Sequence, residues 1–399
     1  MAPGKAFWLI VKNPGMTIDT GPGISNSTSR EYAIALHPKW NAIGNPFNFT
    51  IPATNLRLKS SGQSPELRAY TGTWNDPINT KVRVVQPFEG YAVFNGLPSV
   101  DSLLINPDLS SGSLADAGTF TKEIVSIGDE RLTDRVMSHF SARNVSPAAG
   151  QFLWFIRIVA QCQQAVDSDN IAAIVSDASN DHDELDHPEP PVIGEYVSIY
   201  FPHQEWDKLS QNYCIDVRPE PIDGEIWEFE IKTNIRDIVQ LRFEGLDGVP
   251  SEFEVWLADD ALKIFHNLRE QSQYAVAGEE QPKRLQLVVG KSDFITKKRN
   301  AVWVIPTTYE LSQNFPNPFN PVTTIRYGLP REERVTVKVY NLFGQEVATL
   351  VDGELIAAGY HIAIWDGHNA AGRPVTSGVY FVRIHVSDFV QTRKMVRIE

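Results

Sequence analysis

The stretch ValThrValLysValTyrAsnLeuPheGly (335–344) decides the fold class. Val335, Val337 and Val339 alternate with Thr336 and Lys338. That period of two puts one face of a strand in a core and the other in water. AsnLeuPheGly (341–344) then turns the chain, with Gly344 free to take a positive φ. Tyr380, Val382, Ile384 and Val386 form a second period-two face, and AlaGly (358–359) and SerGly (377–378) mark turns ahead of strands. About 90 residues carrying six or seven such strands predict an immunoglobulin-like sandwich over 306–399.

Upstream, the same signals repeat with different punctuation. A chain of 399 residues makes two to four domains at roughly 100–200 residues each. Residues 1–106 read as a β-domain. Its short apolar runs at 6–11, 32–36, 82–85 and 91–94 are separated by AsnProGly (13–15), GlyProGly (21–23) and GlyAsnProPhe (44–47). LeuProSerVal (97–100) and residues 106–113 read as a linker. Residues 114–304 read as a second β-sandwich, with strands at 152–160, 171–175, 196–201, 226–232, 238–243, 252–257 and 285–289 and a helical spacing at 131–140. In GluIleTrpGluPheGluIle (225–231) Glu225, Glu228 and Glu230 mark an exposed side, although Ile226, Trp227 and Phe229 interrupt the alternation. The expectation is an all-β chain of three consecutive sandwich-type domains. The N-terminal PheTrpLeuIleVal reads as a strand already inside a domain, so the first domain is expected to be truncated at its start.

Charge separates the three. The net charge is −13, and residues 111–310 hold 18 basic and 34 acidic groups while both flanks are close to neutral. An acidic chain repels phosphate backbones, which speaks against nucleic acid as a partner. No apolar run reaches the length of a membrane span. Two cysteines exclude a disulfide-dense scaffold and a Cys-rich zinc module. Cys162 and Cys214 read either as a disulfide across a sandwich or as two buried thiols.

The C-terminal unit resembles the type A C-terminal sorting domain of proteins exported by the bacterial type IX secretion system. It equally resembles the immunoglobulin-like domain named after the flagellar hook-cap protein FlgD. Ordered blocks carry the resemblance: LeuSerGlnAsnPheProAsnProPheAsnProValThrThrIleArgTyrGlyLeuPro (311–330), ValTyrAsnLeuPheGlyGlnGluVal (339–347), AlaGlyTyrHis (358–361), TrpAspGly (365–367) and GlyArgProValThrSerGlyValTyrPheValArgIle (372–384). A basic ArgLysMet (393–395) follows. The motif residues are Asn314, Pro316, Asn317, Pro318, Phe319, Asn320, Pro321, Gly344, Trp365, Asp366, Gly367, Gly372, Gly378 and Tyr380. On physical grounds the three prolines stiffen a lead-in strap, Asn317 and Asn320 close Asx-turns, and Trp365 anchors a core. Gly372 and Gly378 are expected to permit turns flanking the strand at 379–386. Stretches such as AspSerAspAsn (167–170) and ValSerIleTyrPheProHis (197–203) resemble β-domains that precede such a sorting unit.

The resemblance implies a non-catalytic, exported protein. Its C-terminal domain would pass through the periplasm, be recognised by an outer-membrane secretion translocon and be cleaved by a sortase, leaving the rest secreted or attached to the outer surface. Two other readings stay open: a polysaccharide-binding accessory module, or the accessory tail of an enzyme whose catalytic domain lies upstream.

Other residue clusters are candidates for chemistry. Asp177, Asp181, Asp183, Asp186 and Glu189, with His182 and His187 between them, have the loose oxygen-ligand spacing of a structural Ca²⁺ loop. The glycine of an EF-hand turn is missing, and the two histidines read as exposed loop residues. Trp74 and Trp206 stand in polar surroundings that suit sugar stacking, against the commoner role of Trp as core filler. No catalytic residue is assigned, because no nucleophile elbow, metalloprotease helix or phosphate loop is present.

Overall fold

The structure is a computed structural model. It describes residues 30–47, 50–70, 80–86, 89–107, 124–126, 152–183, 185–206, 210–302 and 305–398. The strand expected at 6–11, the turns at 13–15 and 21–23, the helical spacing at 131–140, and Trp74 lie outside the described residues. Those that are described form an all-β protein with one α-helix among them, Ser292–Val302.

The chain divides into two compact units that do not follow chain order. One comprises Met1–Phe152, Ser176–Gly194 and His203–Val217; the other comprises Leu153–Val175, Glu195–Pro202 and Arg218–Glu399. In the first unit, Tyr32–Leu36 and Leu56–Leu58 flank Asp101–Ile105 in one antiparallel sheet. Lys39–Gly44 and Arg68–Ala69 flank Gly90–Asn95 in another. Ile34, Leu36, Ile43, Val93, Leu103 and Ile105 close the core between them. The run 97–100, expected as linker, is a turn inside this unit. Asn95 holds it, with Nδ2 donating to Leu36 O and Ser99 O and Oδ1 accepting from Leu97 N, all at 3.0 Å.

In the second unit the strands Ile264–Asn267, Glu254–Asp259, Lys283–Gly290, Gly224–Thr233 and Val197–Pro202 lie side by side in that order. Ala165–Val175, Phe152–Cys162, Ile238–Glu244 and Gln273–Ala277 form a second run. Their inward side chains make one core, with Trp227, Phe229, Ile231, Leu241, Leu285 and Leu287 among its members. The broken alternation at Ile226 has a physical reason. That residue lies on the outer face, where Phe294 and Ile295 of the helix Ser292–Val302 pack in one cluster with it, Trp256 and Phe265. The helix approaches closely because Gly224 and Gly290 lack side chains: a Cβ on either would stand 2.5–2.6 Å from Phe294 Cδ1.

Residues 310–397 form a sandwich of their own within this unit. One sheet orders Glu310–Leu311, Thr323–Leu329 and Gly359–Trp365; the other orders Glu346–Ile356, Glu333–Asn341, Gly378–Val386 and Phe389–Arg397. The two period-two faces pair as Val335 with Val386, Val337 with Ile384 and Val339 with Val382. They pack on Ile325, Tyr327, Leu329, Ala363 and Trp365 of the opposite sheet.

Candidate functional site

The strap 311–321 and the strand Phe389–Arg397 come together at one edge of this sandwich. Phe319 is the anchor. Its side chain is buried, with its ring 5.4 Å from that of Trp365. Its backbone adds a parallel bridge to the last strand: Phe319 N donates to Val396 O at 2.9 Å, and Ile398 N donates to Phe319 O at 3.0 Å. Asn317 does not close a local Asx-turn as expected; its Oδ1 accepts from Val396 N at 2.9 Å. Gln313 Nε2 donates to Lys394 O at 2.8 Å, and Arg393 Nε to Leu311 O at 2.9 Å. Asn314 holds the strap from beneath, because its buried Nδ2 donates to Thr323 Oγ1 at 2.9 Å and Pro316 O at 3.1 Å. The prolines cannot donate, so asparagine and glutamine side chains supply the strap's polar contacts. The result covers the outer edge of a terminal strand, a place where unpaired backbone groups invite foreign strands.

The remaining motif residues support that edge. Trp365 Nε1 donates to His368 O at 2.9 Å, and Asp366 Oδ1 accepts from His368 N at 3.0 Å, closing the turn after the strand. Gly367 has φ +74°, and a Cβ there would meet Pro321 O and Arg397 Nε at 3.0 Å. Gly344 and Gly372 take the left-handed conformation in turns. Gly378 does not; it opens the strand Gly378–Val386 and pairs with Arg397. Tyr380 is buried and donates to Thr376 O at 2.8 Å. Pro318 is exposed, whereas Pro316, Asn320 and Pro321 are half-buried.

Two carboxylates of the acidic segment, Asp183 and Asp186, are engaged by backbone amides. Asp177 and Asp181 are exposed. Asp183 Oδ1 accepts from Leu185 N and its Oδ2 from Ser179 N, at 2.7 and 3.0 Å. Asp186 Oδ2 accepts from Asp183 N and its Oδ1 from Val217 N, both at 2.9 Å. Glu189 O accepts from Trp40 Nε1 at 2.8 Å. Among the described residues no three His, Cys, Asp or Glu side chains are grouped to hold a metal ion. The two histidines are not exposed loop residues. His187 is buried beside Glu66, and the half-buried His182 lies edge-on to Trp206 and Tyr213. Burial pushes the Asp186 carboxyl up to about 8, against the pull of its two amide donors.

Sequence reading missed the group at the centre of this region. His203 Nδ1 is 2.6 Å from Glu205 Oε1, and its Nε2 is 2.9 Å from Asp216 Oδ2. The ring is stacked 3.5 Å from Trp206, with Tyr213 edge-on to both. Burial alone would lower the imidazole, but the hydrogen bonds and charges of Asp216 and Glu205 outweigh it and raise it. Trp206 is buried and offers no open face to a sugar. The one signal available was the His203–Glu205–Trp206 spacing, which is uninformative without knowing where Asp216 lies.

The disulfide alternative is not realised. Neither cysteine is in a disulfide, and both are buried. Cys214 Sγ lies 3.6 Å from His187 O, and Cys162 Sγ lies 3.9 Å from Ile235 O. Burial pushes the Cys162 thiol up to about 11. No helix among the described residues is long and apolar enough to cross a membrane.

With this geometry established, comparison with known proteins separates the sandwich from its flanks. Residues 322–388 match the FlgD Ig-like domain family. The match thus begins after the strap and ends before the last strand. No curated protein matches the chain significantly. Among solved structures, dimeric latent PorU from Porphyromonas gingivalis is similar over 63% of this chain and 30% of its own, with 13% identity and a TM-score of 0.21. PorZ, a surface component of the type IX secretion system of the same organism, is similar over 43% of this chain and 21% of its own, with 13% identity and a TM-score of 0.19. The chain therefore spans less than a third of either protein's length.

Proposed function

We propose that the chain is part of a secreted or surface-attached bacterial protein, in which non-catalytic β-modules precede a C-terminal type IX sorting domain. One observation carries the reading. The family match covers 322–388, and two segments outside it, the strap 311–321 that bears the sorting resemblance and the last strand with its basic 393–395, are hydrogen-bonded to each other. A composite edge built from both segments is a surface that a translocon can read, and a sortase acting ahead of residue 310 would release it whole. A structural role fits the described polar groups: Asp183 and Asp186 are engaged by backbone amides, and His203 by Glu205, Asp216 and the Trp206 ring.

The test is export of the intact chain in a bacterium with a working type IX system. Mass spectrometry of the surface or medium fraction is expected to show loss of the segment from about residue 306 onward. Substitution of Phe319 and Asn317 by alanine should retain the protein in the periplasm. Exported protein still ending in Glu399, or export unaffected by both substitutions, would overturn the reading.

A further inference from the structure

Along the last strand, Phe389–Arg397, Met395 and Arg397 fall on the buried side, while Lys394 is exposed. Met395 joins the apolar core. Arg397, two residues on, brings a guanidinium to the same side and is only 8% exposed. A guanidinium keeps its charge at ordinary pH and carries five N–H donors. Among the described residues this one has no hydrogen bond, ion pair or aromatic ring, and its Nε is enclosed. Two other arginines of this unit are spent by contrast. Arg393 Nε donates to Leu311 O at 2.9 Å. Arg326 Nε donates to Leu262 O at 2.8 Å, and its guanidinium lies 3.6 Å from the centre of the Tyr360 ring. Burying a charge without a partner costs far more than burying a paired one. Arg397 therefore calls for an acceptor that the described residues do not supply.

The surroundings fix this residue and leave room beside it. Its backbone pairs with Gly378 on one side and bridges Phe319 of the strap on the other. Directly opposed residues share a face of a sheet, so the space left by Gly378 borders the Arg397 side chain. A Cβ at Gly378 would meet nothing nearer than Tyr380 Cε2 at 4.0 Å. Gly367 lies against the guanidinium, where a Cβ would stand 3.0 Å from Arg397 Nε and 3.6 Å from its Cδ. Asn320 follows Phe319 in the strap, and its half-buried side chain makes no hydrogen bond among the described residues. The Asx-turn expected of it is therefore not formed. The carboxylate next to Gly367 is engaged elsewhere: Asp366 Oδ1 accepts from His368 N at 3.0 Å, and its Oδ2 is 3.1 Å from His368 Nδ1.

We propose that Arg397 is the floor of an oxyanion site at this end of the C-terminal sandwich, which takes a phosphate or carboxylate group of a partner molecule. The guanidinium fork offers parallel N–H groups to two oxygens of such a group. Bonds of that kind are stronger where water is excluded. Asn320 Nδ2, one residue from the Phe319 bridge, is the neutral donor of the site. Gly367 and Gly378 give it space, since neither puts a side chain beside the guanidinium.

Titration of the intact chain, isotope-labelled in its arginines, tests this by nuclear magnetic resonance at constant ionic strength. Inorganic phosphate or acetate is expected to move the Arg397 Nε–H signal saturably and to leave that of Arg326 in place. The two probes tell a tetrahedral from a planar occupant. Calorimetric titration then gives the affinity. Arg397→Lys keeps the charge but loses the fork, and should weaken binding about tenfold or more. Asn320→Ala, which touches no core residue, should weaken it by a smaller factor. An Arg397 signal unmoved by both probes overturns the proposal, as does one that moves equally with chloride. Undiminished binding by Arg397→Lys overturns it too. A response that appears only in Glu399→Gln would make the chain's own acidic end the occupant, and would equally overturn it.

Discussion

At Gly367 a hydrogen atom stands where any other residue would drive a Cβ against Pro321 O and Arg397 Nε, with φ at +74°. Gly378 bears the same residue type in the same motif, yet its backbone is extended and the nearest atom to a Cβ is Tyr380 Cε2 at 4.0 Å. The two therefore diverge on substitution. Gly367→Ala should cost about 1–3 kcal/mol in chemical denaturation, whereas Gly378→Ala should cost under about 1 kcal/mol. Composition alone did not separate them, because both precede or follow strands in the same way. His203 poses the converse case, a residue invisible in the sequence whose effect is large. Its raised pKa means that its contribution is complete below the free value of about 6.5 and is lost as pH rises through the folded value. His203→Gln should destabilise by roughly 1–3 kcal/mol at pH 6 and by clearly less at pH 9, read from denaturation midpoints at the two pH values. Equal costs at both would mean that the imidazole is neutral in the folded protein.

Elements were legible where their period was clean and illegible where a second layer covered them. Val335–Val339 and Tyr380–Val386 alternate without a break, and both are strands of the expected sandwich. Ile226 breaks its pattern because the helix Ser292–Val302 shields the outer face there. That helix escaped notice, since Phe294 and Ile295 are adjacent and no apolar residue recurs one turn later. Strap and acidic segment are built alike. In both, asparagine or aspartate side chains bind backbone amides, and each reaches across to a strand far along the chain, Asn317 to Val396 and Asp186 to Val217. Phe319→Ala should cost about 3–5 kcal/mol, as loss of a buried aromatic does, and should free the amides of Val396 and Ile398 for exchange ahead of global unfolding. The acidic segment predicts the opposite of a ligand effect. Asp183 and Asp186 are already satisfied by amides, so adding a chelator should leave the melting temperature unchanged. A drop on chelation would require an ion bound by this loop.

Across the whole molecule, the sequence shows where charge lies but not how segments gather. The acidity of 111–310 follows from counting, and it separates that stretch from its neutral flanks. Yet Ser176–Gly194 and His203–Val217, drawn from that acidic stretch, belong with the N-terminal unit. Such a grouping depends on contacts between residues far apart in sequence, such as Trp40 with Glu189 and Tyr70 with Ile193, which no local period encodes. The second unit poses a sharper question, because its two sandwiches have separate cores and are joined through Arg326, Tyr360 and Ile362. Separate cores with a weak contact unfold separately, whereas a strong contact makes them one cooperative system. Arg326→Ala removes both the hydrogen bond to Leu262 O and the cation over Tyr360 while leaving either core intact. Calorimetry of the full chain at neutral pH should then show the FlgD Ig-like transition split from that of the preceding sandwich. A variant trace that matches the unmodified one would place the coupling elsewhere, in the apolar contact of Tyr360 and Ile362 alone.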